Sequence, residues 1–110
     1  MFGVIKSLLG KEERDATICR EEFIKAKNDL ETIAMLTAND FSRTHKKAIS
    51  AVFKLRYALA SGAILTTKEK IELVALLNKI KVKSASVGTL DGYQAFQMLD
   101  SVSEDIKRFL

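Results

Sequence analysis

The sequence predicts an all-α protein, an antiparallel bundle of four main helices preceded by a short amphipathic helix. Three observations carry this. The 110 residues include no proline, the residue that breaks helices by removing a backbone donor and clashing with the preceding turn. Apolar side chains recur at steps of three and four, the period of one helix face. The β-branched and aromatic residues are scattered and form no alternating runs.

The first element is Phe2 to Leu9, where Phe2, Ile5, Leu8 and Leu9 fall at helical spacing before Gly10. A helix this short is unstable alone, because nucleation is costly, so it must dock on something. The second spans about Glu12 to Leu36. Ala16, Cys19, Phe23, Ala26, Leu30 and Ile33 form a heptad-like stripe, and Glu12, Glu13 and Asp15 suit the positive end of the helix dipole. The third runs from Phe41, with Asp40 as its cap, to Ser61, with the stripe Phe41, His45, Ala48, Val52, Leu55 and Leu59; Gly62 ends it. The matching periods predict an antiparallel hairpin of the second and third elements.

A fourth helix starts at Thr66, which has the capping-box spacing with Glu69. Ile71, Leu73, Val74, Leu76, Leu77 and Ile80 cover more than half its circumference, so it is expected to be the most buried helix. The alternation of Lys79-Ile80-Lys81-Val82-Lys83 reads as its fraying end. Residues 83–90 are small and polar and read as a loop. Asp91 and Gln94 then cap a final helix with the stripe Ala95, Leu99, Val102, Ile106 and Phe109, widened by Tyr93 and Phe96. Length and the absence of repeats or low-complexity tracts predict a single domain over 1–110.

Composition narrows the function. No apolar run approaches the ~20 residues that span a bilayer, and the opening residues lack the pattern of a secretory signal. A lone cysteine gives no disulfide framework. A cytoplasmic protein with no membrane partner is the simplest expectation. One histidine and one cysteine, on different helices, offer no metal-ligand spacing, and no phosphate-cradling glycine pattern occurs. No metal, no cofactor and no catalytic residue is therefore expected. His45 is read as a half-buried histidine with one hydrogen bond; its alternative is a general base held by Asp40 or another carboxylate. Cys19, on an apolar stripe, is read as a buried small hydrophobe.

Charge is uneven. Residues 37–83 carry ten basic and three acidic groups, whereas the flanking stretches are slightly acidic, and no acidic residue lies between Phe41 and Thr67. Arg43, Lys47 and Lys54 share one face of the third helix, bordered by Lys46. Ile24, Phe53 and Tyr57 lie off the main stripes, as a widened core or as a surface for a protein partner or a second copy. The expected function is a non-enzymatic, protein-binding bundle acting as a small regulator, adaptor or inhibitor. The alternative is association with nucleic-acid phosphates through the basic face of residues 41–83.

Overall fold

A computed structural model of the chain describes residues 16–110. They form four helices that pack against one another: α1 (Ala16–Ala34), α2 (Ala38–Ala60), α3 (Thr67–Ser86) and α4 (Leu90–Lys107). No strand occurs among the described residues. The predicted helix Phe2–Leu9 and the acidic turn Glu12–Asp15 lie outside them.

The heptad stripes become the core. Cys19, Phe23, Ala26, Leu30 and Ile33 of α1 are buried, as are Phe41, Ala48, Val52, Leu55 and Leu59 of α2. At α2's start the cap is Thr37, not Asp40. Thr37 is extended, and its side chain accepts from the Asp40 N–H at 3.2 Å, so Ala38 and Asn39 already belong to the helix. At its end Gly62 has φ 109°. The Gly62 N–H donates to the Leu59 carbonyl at 3.1 Å and the Ala63 N–H to the Ala58 carbonyl at 3.0 Å. This paired closure needs a residue that tolerates positive φ.

In α3 both halves of the expected capping box form: Thr66 N–H donates to Glu69 Oε1 at 2.9 Å, and Glu69 N–H to Thr66 Oγ1 at 3.1 Å. The expectation that this is the most buried helix does not hold. Leu73, Leu76, Leu77, Ile80 and Ser84 face inward, while Ile71 and Val82 face outward, and α2 contributes more buried residues than α3. Lys79–Lys83 is helix interior, and Ser84–Ser86 continue it, so the expected loop shrinks to 87–89. Ser84 is fully buried, and its Oγ donates to the Gly92 carbonyl at 3.0 Å. The small residues read as a loop are instead a close crossing of α3 and α4. Thr89, not Asp91 or Gln94, caps α4 by accepting from the Gly92 N–H at 3.1 Å. Ala95, Leu99, Val102 and Ile106 are buried; Tyr93 is exposed, and the exposed Phe109 follows the helix end.

The helices pair as two hairpins. Cys19 near the start of α1 meets Ser61 just past α2, so α1 and α2 run oppositely. Lys81–Asp100 and Ser84–Gly92 show the same for α3 and α4. Arg20–Glu69 and Lys27–Glu72 lay α1 on α3 in the same direction, and Arg56–Asp105 joins α2 to α4. α2 and α3 also touch, whereas α1 and α4 do not. Lys83 of α3 donates to the Leu36 carbonyl just beyond α1, placing a cation at that helix's negative end.

Candidate interaction surface

The outward side of α2 holds most of the candidate residues. Arg43, Lys46, Lys47 and Lys54 are all exposed there. Lys47 and Lys54 line a groove between α1 and α2, floored by Ile33, Leu36 and Ala51 and walled on the α1 side by Asp29. The groove continues past Glu22, Lys25 and Ala26 to Tyr57. Arg43 lies one turn before Lys47 on this side. Lys46 diverges to a second groove, between α2 and α4, beside His45, Ile49, Asp91, Gln94 and Met98.

Some cations are paired with carboxylates and some are not, and Lys25, Lys70, Lys79 and Lys83 share the unpaired state of the four on α2 among the described residues. Arg20, Lys27, Arg56, Lys68, Lys81, Lys107 and Arg108 each lie within 4.0 Å of a carboxylate. Among the described residues, Arg43, Lys46, Lys47 and Lys54 have no such partner. Arg43, Lys47 and Lys54 turn toward α1 and Lys46 toward α4, and none comes within 4.0 Å of the carboxylates there.

The three apolar candidates do not form one patch. Phe53 and Tyr57 are one turn apart on the outward face of α2, and both are exposed. Ile24 is also exposed but lies on the other flank of α1, between Arg20 and Lys27, whose side chains reach α3. Sequence spacing marks all three as off the stripe but does not say toward which neighbour each turns.

His45 is half-buried, and its Nδ1 donates to the Ser42 carbonyl at 2.8 Å. Its hydrogen-bond partner is thus backbone and not Asp40. Cys19 is fully buried, with Sγ 3.6 Å from the Ser61 carbonyl. Among the described residues no group of three or more histidine, cysteine or carboxylate side chains converges to hold a metal ion. No described helix is long and apolar enough to cross a membrane.

The strongest electrostatic contact lies elsewhere. Arg20 grips Glu69 with two hydrogen bonds, of 3.0 and 2.8 Å. Those bonds and the one from the Thr66 N–H hold the Glu69 carboxyl down at about 2, from an ordinary 4.5. The same pairing raises the pKa of Arg20, and Lys27 is raised by its hydrogen bond to Glu72. These contacts join α1 to α3. Comparison with protein-family models, curated proteins and solved structures gave no match.

Proposed function

We propose that this chain is a non-enzymatic helical bundle that binds another protein, as a small regulator, adaptor or inhibitor. The observation that carries the reading is the company kept on the outward face of α2. Two exposed aromatic rings, Phe53 and Tyr57, stand beside four cations that have no carboxylate partner among the described residues. Aromatic side chains contribute much of the binding energy in protein interfaces, and arginine and lysine at the rim steer an acidic partner. The groove between α1 and α2 gives such a partner an apolar floor. The engaged Nδ1 of His45 and the burial of Cys19 favour a non-catalytic role.

The test is affinity capture with and without nuclease, using the wild type beside Phe53→Ser/Tyr57→Ser and Arg43→Glu/Lys47→Glu/Lys54→Glu. The expected result is a protein held by the wild type, released by both variants and indifferent to nuclease. A strict monomer by light scattering that retains no nuclease-resistant protein would overturn the reading. A homodimer in the same measurement would make the partner a second copy.

A nucleic-acid reading draws on the same unpaired cations, which would contact phosphates. Its signature is affinity that falls steeply with salt and is lost in the charge-reversed variant. Phe53 and Tyr57, exposed on the same side of α2, are contacts that phosphates do not need, and they favour the protein partner.

A further inference from the structure

We propose that the groove between α1 and α2 receives a single amphipathic helix of the partner protein, its apolar stripe on the floor and its carboxylates against the α2 wall. The proposal rests on the protein-binding reading above and names what that partner presents.

Shape points to a helix. The two stretches of the groove share Asp29 and Lys54, so they are continuous. From Thr44 to Tyr57 the groove runs roughly 20 Å, at about 1.5 Å per residue, which matches a helix of about four turns. Its lining repeats every seventh residue: Ala26 and Ile33 on the α1 side of the floor, Lys47 and Lys54 on the α2 wall. That repeat lets a third helix follow both walls at a shallow angle. No residue of α3 or α4 lines the groove, so it opens on the outer side of the hairpin. An extended peptide would find no strand among the described residues to pair with, whereas a helix satisfies its own backbone.

Charge decides which flank goes where. The α2 wall contributes Lys47 and Lys54 and no acid, with Arg43 one turn before them. None of the three has a carboxylate partner among the described residues. The α1 wall carries Glu22 and Asp29 beside Lys25. A helix with carboxylates seven residues apart on one flank meets Lys47 and Lys54 together, and lysines on its other flank meet Asp29. The opposite placement sets like charges side by side. The flanks of a helix are fixed relative to its direction, so this pattern also sets which way the partner helix runs.

The test titrates the full chain with two synthetic helical peptides of about 16 residues, read by calorimetry and amide NMR. The first has a heptad stripe of leucines, glutamates seven apart on one flank and lysines on the other. The second has lysine in place of each glutamate. The first should bind about tenfold tighter and shift the amides of residues 22–36 and 44–57. Lys47→Glu/Lys54→Glu should reverse the order of the two peptides. Equal affinities, an unreversed order or shifts centred outside the groove would overturn the proposal. Ser50→Trp fills the groove at an exposed position and leaves the cations, Phe53 and Tyr57 in place. It should abolish binding of the first peptide, and retained binding would count against the groove. The charge-reversed variant keeps the test independent of how Ser50→Trp folds. A dimer by light scattering that Ser50→Trp returns to monomer would make a second copy the occupant and overturn the proposal. Affinity capture separates this proposal from the broader reading. A nuclease-resistant protein held equally by the wild type and Ser50→Trp ends the groove proposal and leaves the protein-binding reading standing. Capture of no such protein ends both.

Discussion

Arg20 of α1 forks onto Glu69 of α3, and the same carboxylate closes the capping box that starts α3. One side chain thus begins a helix and fastens it to its neighbour. Glu69 titrates at about 2 in the folded chain and near 4.5 without these partners. Its contribution is complete above about pH 4.5 and is lost as pH falls toward 2. Glu69→Gln keeps an acceptor for the Thr66 N–H but removes the charge. The wild type should therefore lose more stability than Glu69→Gln between those pH values, as measured by denaturant melts. Thr66→Ala should cost about 1 kcal/mol at neutral pH, through the cap alone.

Gly92 sets two effects of opposite sign against each other. Alanine in place of glycine inside a helix gains about 1 kcal/mol from propensity. Here its Cβ would stand 2.9 Å from Val87 Cβ and 3.2 Å from the Ser84 carbonyl oxygen, closer than packed atoms sit. Overpacking of this kind costs about 1–3 kcal/mol. Gly92→Ala is expected to lower the melting temperature, and a rise would show that α3 and α4 can part without penalty.

Ser103 points the other way. It is 1% exposed, and its Oγ has no hydrogen-bond partner among the described residues. A buried hydroxyl left unpaired costs about 1–3 kcal/mol, and alanine is also the better helix former. Ser103→Ala should stabilise the chain by about 1 kcal/mol in chemical denaturation.

The cations on α2 should separate stability from binding. Arg43, Lys47 and Lys54 are exposed and have no carboxylate partner among the described residues. Reversing all three to glutamate should leave the melting transition nearly unchanged, since such surface substitutions usually fall within about 0.5 kcal/mol each. The same variant should release the proposed partner. By contrast, Leu30→Ala or Leu55→Ala, at fully buried positions, should each cost about 2–5 kcal/mol.

The periodic stripes made much of this fold legible. Cys19 to Ile33 and Phe41 to Leu59 read directly as two buried faces, because each helix there has one apolar side. In α3 the reading failed. Ile71 looks like core by composition, but the inward face is already filled by Leu73, Leu77 and Ile80. The stretch Ser84–Ser86 resembles a loop because serine is common in loops; here small size lets the start of α4 approach. Thr37 and Thr89 were passed over as caps in favour of aspartates that lie inside the first turn. The cations on α2 are visible as a charge run, but that they have no carboxylate partner among the described residues depends on which helices lie across from them, and no single helix encodes that.

The packing order has a consequence for how the molecule opens. α2 and α3 each touch three helices, whereas α1 and α4 touch two each and not one another. The α1–α2 contact is nevertheless the most extensive and the α2–α3 contact the thinnest, so amide protection should last longest in the α1–α2 hairpin. Refolding should accordingly begin with α1 on α2, neighbours in sequence, before α3 and α4 complete the bundle.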